Sequence, residues 1–102
     1  GIPGMEAIKH KKAQMLYDVI DSSRLFTCAV EPGSRSDMNV VFRTGDEALD
    51  AEFVQAAAAA GFVNLKGHRK TGGMRASIYN AMPTEGVQKL VAFMEKFEKE
   101  NA

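Results

Sequence analysis

Apolar side chains recur at helical spacing over residues 5–20, where Met5, Ile8, Met15, Leu16, Val19 and Ile20 share one face and Lys9, Lys11, Lys12 and Asp18 lie largely on the other. A stripe of that period predicts an amphipathic helix with its lysine side in water. The run Lys9-His10-Lys11-Lys12 reads as that solvated face, because four basic residues in one turn without interleaved aromatics carry no nucleic-acid signature. Asp21-Ser22-Ser23 breaks the pattern, and residues 25–30 follow as a short apolar run suited to a strand. Glu31-Pro32-Gly33-Ser34 supplies turn residues, residues 38–43 read as a second strand, and the two strands are expected to pair as an antiparallel hairpin.

Thr44-Gly45-Asp46-Glu47 has the spacing of a capping box and introduces a second amphipathic helix over residues 48–60, with Leu49, Phe53, Ala56, Ala57 and Ala60 at helical spacing. Its alanine run suits close packing on a sheet, and Gly61 is placed to end it in a left-handed conformation. Residues 62–66 alternate as a third strand and residues 75–79 as a fourth. Pro83 or Thr84 opens a last helix on which Val87, Leu90, Val91, Met94 and Phe97 form the apolar face, with Glu95, Lys96, Glu98, Lys99 and Glu100 on the wet side. The order α-β-β-α-β-β-α predicts an α+β fold, a mostly antiparallel sheet of about four strands covered by helices.

Composition narrows the field. The 102 residues are expected to form one domain, and 45% hydrophobic with 25% charged residues is the proportion of a globular chain rather than a disordered one. With 13 basic and 13 acidic residues the formal net charge is zero, which removes the electrostatic case for general nucleic-acid or membrane-surface binding, so any anion site must be local. Cys28 is alone, which excludes an internal disulfide and a cysteine-based zinc site and points to a reducing, cytoplasmic setting. It reads as a small buried hydrophobe. No apolar run approaches the roughly 20 residues of a membrane span. The start Gly1-Ile2-Pro3-Gly4-Met5 has no initiator methionine and is expected to be a cut end.

The chemistry is concentrated between the third and fourth predicted strands, in Gly67-His68-Arg69-Lys70-Thr71-Gly72-Gly73-Met74-Arg75. Glycine permits positive φ and lets a ligand approach the main chain, while arginine presents a planar fork that matches phosphate or carboxylate. Each charge-assisted hydrogen bond contributes roughly 1.5–3 kcal/mol where water is excluded. The spacing is neither that of a dinucleotide-binding loop nor that of a P-loop. His68 lacks neighbouring ligands, so no metal is expected, and Asp46, Glu47, Asp50 and Glu52 are explained by capping and solvation on one short helix.

Gly67-His68-Arg69 followed by Gly72-Gly73-Met74-Arg75-Ala76-Ser77-Ile78-Tyr79-Asn80-Ala81-Met82-Pro83 resembles the closing signature of the phosphoserine aminotransferase family. Lys12-Ala13, Leu16-Tyr17, Ile20-Asp21, Arg35-Ser36, Met38-Asn39-Val40 and Glu85-Gly86-Val87 extend the resemblance over nearly the whole chain. The sequence departs from the family at Lys9, where asparagine is usual, and at Val41, where proline is frequent. The resemblance implies the C-terminal small domain, residues 1–102, of a homodimeric pyridoxal 5'-phosphate enzyme of the aspartate-aminotransferase fold type. Such an enzyme moves an amino group between glutamate and 3-phosphohydroxypyruvate, giving O-phosphoserine and 2-oxoglutarate in serine biosynthesis.

By the same resemblance, His68 and Arg69 bind the substrate phosphate and Arg75 the substrate carboxylate. The cofactor's Schiff-base lysine and its other contacts belong to a large domain expected before Gly1, and Lys66 reads as a strand residue rather than the anchor. The chain by itself is therefore expected neither to bind the cofactor well nor to transaminate. Two other readings stand beside this one: a stand-alone anion-binding or regulatory module without catalysis, and a loop with structural work only.

Overall fold

The computed structural model describes residues 3–28, 30, 32–36, 39–62, 65, 73–77 and 83–101. In chain order these form helix α1 (Pro3–Ser22), strand β1 (Thr27–Cys28), a 3-10 turn (Pro32–Ser34), strand β2 (Asn39–Arg43), helix α2 (Glu47–Ala59), strand β3 (Met74–Ser77) and helix α3 (Thr84–Asn101). The strands make an antiparallel sheet in the order β1-β2-β3. Thr27 pairs with Arg43 and Cys28 with Phe42, so the predicted hairpin forms, although its first strand is shorter than the apolar run that announced it. On the other side of β2, Asn39, Val40, Val41 and Phe42 face Ser77, Ala76, Arg75 and Met74.

The predicted fourth strand is thus β3 as far as Ser77; Ile78 and Tyr79 lie outside the described residues. Of the predicted third strand, Val63, Asn64 and Lys66 lie outside the described residues; Leu65 is buried, and its carbonyl accepts the Arg75 N–H at 2.7 Å. That bond is the kind a neighbouring strand would make.

The sheet has one buried face and one open face. Val40, Phe42, Met74 and Ala76 alternate inward and join Ala13, Leu16, Tyr17 and Ile20 of α1, Phe53 and Ala57 of α2, and Val87, Leu90, Met94 and Phe97 of α3 in a single core. All six phenylalanines of the chain connect there, with Phe53 at the centre. Its ring lies 5.0–5.8 Å from those of Phe97, Phe26, Phe93 and Phe42, in edge-to-face arrangements.

Helix α1 departs from its predicted face at two positions. Lys12, assigned to water by the periodicity, is only 5% exposed, and Ile8, assigned to the core, is 52% exposed. Among the described side chains the core-facing stripe is Lys12, Ala13, Leu16, Tyr17 and Ile20, and α1 meets α3 and the sheet. The long stem of a lysine can lie along apolar neighbours, so the swap needs no break in the helix.

Helix α2 is capped by Asp46 rather than by the predicted box. The Asp46 carboxylate accepts from Ala48 N–H at 2.9 Å and from Leu49 N–H at 3.3 Å. Thr44 bonds instead to Asp50, its N–H and its hydroxyl both donating to one carboxylate oxygen at 2.8 and 2.7 Å. At the other end Gly61, with φ of 100°, donates to the Ala58 carbonyl while Phe62 N–H donates to that of Ala57, the pair of bonds of a Schellman motif. Glu98 of α3 is half-buried rather than merely solvated. It accepts the Ser23 hydroxyl and the Arg24 N–H, pinning the turn between α1 and β1 to the last helix.

Candidate functional site

Alternation along a strand puts the partners of buried residues on the far face. On β2 this brings out Asn39, Val41 and Arg43, and on β3 Arg75 and Ser77, on the side of the sheet opposite the core. Arg75 is exposed there and stands across from Val41. Its backbone is held on both sides, by the β2 pairing and by the bond to Leu65, so the position of its Cα is set by two neighbours. Asn39 and Ser77 face each other at the same level of the open face, the Ser77 hydroxyl donating to the Asn39 amide oxygen at 3.1 Å.

Arg43 is the second cation of this face, and the sequence reading did not single it out. It is exposed at the end of β2, with Thr27 as its partner on β1. On its other side is Gly73, the residue through which the glycine-rich loop enters β3. Gly73 has φ of 69°, and a Cβ there would sit 2.7 Å from the Phe42 carbonyl oxygen and 3.1 Å from Cβ of Arg43. Two separate reasons, left-handed backbone and close approach, therefore require glycine at this position. Alternation along residues 38–43 carried the signal that Arg43 opposes Phe42, but only the pairing of β2 with β3 sets it beside Arg75.

The structure places Arg75 as predicted, on a strand beside the glycine pair. His68, Arg69 and Lys70 lie outside the described residues. Neither Arg75 nor Arg43 is ion-paired with a carboxylate among the described residues, in contrast to Arg35. Arg35 meets Asp21 through two nitrogens at 2.8 and 2.6 Å and stacks 4.6 Å over the Tyr17 ring, whose hydroxyl donates to the Ser36 carbonyl at 2.7 Å. Those hydrogen bonds hold the Asp21 carboxyl below its ordinary value and raise Arg35 further, so this arginine is a structural clamp between α1 and the segment before β2.

What the open face can do is hold an anion: two guanidinium groups that no carboxylate among the described residues compensates stand on the sheet with small polar neighbours. No group of three or more metal-ligating side chains occurs among the described residues, and no helix there is long and apolar enough to cross a membrane.

Residues 1–90 match the aminotransferase class-V family. The chain is 58% identical over 97 residues to a phosphoserine aminotransferase of Listeria monocytogenes, a match covering 95% of this chain and 27% of that protein. It is 56% identical over 102 residues to one of Lactococcus lactis, covering 99% and 28%. Among solved structures, phosphoserine aminotransferase from Bacillus circulans subsp. alkalophilus superposes with a TM-score of 0.91 at 49% identity, over 94% of this chain and 27% of that one. A PLP-bound phosphoserine aminotransferase from Trichomonas vaginalis superposes with a TM-score of 0.86 at 39% identity, over 93% and 28%. The chain thus spans about a quarter of the length of the relatives it matches.

Proposed function

The chain belongs to the aminotransferase class-V family, and from that premise we propose that it is the C-terminal small domain of a phosphoserine aminotransferase. In this reading the whole enzyme is a cytoplasmic homodimer that transfers an amino group between glutamate and 3-phosphohydroxypyruvate. The small domain supplies anchors for the substrate's two anionic ends. Arg75 takes the carboxylate, and His68 and Arg69 take the phosphate. The observation that carries the reading is the exposed Arg75, with no carboxylate partner among the described residues, on a strand held from both sides. Fixing an anion at a rigid point orients the amino carbon for reaction, which is worth far more than the binding itself. A substrate lacking that anion leaves a cation unpaired, and so is selected against.

The cofactor of such an enzyme is pyridoxal 5'-phosphate, and the described residues do not fit it. Lys11, Lys12, Lys89, Lys96 and Lys99 all lie on helices, away from the open face of the sheet. The phenylalanine rings belong to the core, so no described ring stands on that face to stack on a pyridine. What these residues fit is the substrate's anions, and we assign the cofactor to the part of the enzyme outside this chain.

The test is a coupled transamination assay of the full-length protein, with calorimetry of O-phosphoserine against it and against this chain alone. Arg75→Ala is expected to reduce kcat/KM by at least about tenfold to a hundredfold, the equivalent of one charge-assisted hydrogen bond. Unchanged activity in that variant would sink the reading. Tight binding of O-phosphoserine by the isolated chain would favour a stand-alone anion-binding module instead.

A further inference from the structure

We propose that Arg43 is an additional phosphate anchor of this site, contributed by β2 rather than by the glycine-rich loop. The inference rests on the reading of function above and extends it by one residue. Three observations converge on Arg43. It is exposed on the same open face as Arg75. It follows Val41 by two residues, and Val41 pairs directly with Arg75, so the two arginines are diagonal neighbours. Side chains in that relation lie about 7–8 Å apart at their bases and are within reach of one another's ligands when long. Finally, no carboxylate among the described residues neutralises it.

Its position along the strand chooses between the two ends of the substrate. Gly73 lies against Arg43, and a side chain there would collide with the Phe42 carbonyl and the Arg43 stem. Arg43 therefore sits at the end of β3 that Gly73 opens, on that side of Arg75. With the carboxylate on Arg75, a ligand extended along the open face toward that end brings its phosphate to Arg43. A dianion at that place suits a bidentate guanidinium and offsets the repulsion between two like charges on one small sheet.

The full-length protein and its Arg43→Gln, Arg43→Lys and Arg75→Ala variants test the assignment. Three measurements serve: kinetics with O-phosphoserine, retention of pyridoxal phosphate absorbance after gel filtration, and the rise in thermal midpoint on adding inorganic phosphate. Arg43→Gln is expected to raise KM for O-phosphoserine by about tenfold or more, with a much smaller fall in kcat and full retention of cofactor. Arg43→Lys should recover part of the loss, and the protection by inorganic phosphate should shrink in Arg43→Gln.

An unchanged KM in Arg43→Gln, with Arg75→Ala impaired, overturns the role of Arg43 and leaves the proposed function standing. Loss of bound cofactor in Arg43→Gln overturns it too, since the phosphate held would then be the cofactor's. If the wild-type protein does not transaminate, the functional reading fails on its own. The anchor is then judged by inorganic phosphate alone: protection that depends on Arg43 supports it, and no dependence overturns it.

Discussion

At Gly73 two demands meet, a left-handed backbone at φ of 69° and a Cβ position already occupied by the Phe42 carbonyl oxygen. Gly73→Ala is expected to cost about 1–3 kcal/mol in chemical denaturation, the range for a residue forced into a sparsely populated conformation. Gly33→Ala, at an exposed position with open space and ordinary φ, should stay within about 0.5 kcal/mol of the parent. Equal effects at the two glycines would remove the argument that Gly73 is shaped by its neighbours. Glu98 poses a different residue-scale question. The Ser23 hydroxyl above all, and then the Leu25 and Arg24 N–H groups, hold its carboxyl below the ordinary 4.5. A depressed carboxylate stabilises the fold above its unfolded value, and that contribution disappears as pH falls through the lower folded value. Acid unfolding followed by circular dichroism should therefore be less steep below about pH 4.5 in Glu98→Gln than in the parent. A steeper acid limb would contradict the bonding at Ser23.

At the scale of elements, helix α2 shows how a correct boundary can rest on the wrong cap. The Thr44-to-Glu47 spacing announced a capping box, yet the helix begins after Asp46, whose carboxylate takes the first free N–H groups. Asp46→Ala should destabilise by about 0.5–2 kcal/mol, while Glu47→Ala, at an exposed first-turn position, should change stability by less than about 0.5 kcal/mol. Denaturant midpoints of the two variants measure this, and the reverse order would restore the predicted box. Thr44 has other work, closing the link from β2 into α2 through Asp50. That link fixes the chain just after Arg43, so the cap of α2 and the open face of the sheet are consecutive features of one segment.

For the whole molecule, the ring of Phe53 joins α2 to β2, α3 and the segment before β1. Phe53→Ala should cost about 3–5 kcal/mol, a large share of what a domain of this size has, with denaturant unfolding as the measure. An effect below about 1 kcal/mol would mean that the aromatic cluster is not the keystone of the core. The chain's own periodicity determined the helices, the hairpin, the Gly61 terminator and the glycine pair beside Arg75, because period, turn chemistry and backbone freedom are properties of neighbouring residues. The resemblance carried by residues 67–83 supplied the proposed substrate, which no spacing could. Tertiary structure alone decided that Lys12 is buried and Ile8 is not, since the side of a helix that meets its neighbours is set by segments distant in sequence. It alone made Glu98 a clamp rather than a solvated charge. And it alone set Arg43 beside Arg75, because a strand's alternation says which face a residue takes, whereas the register between distant strands says which residues share it.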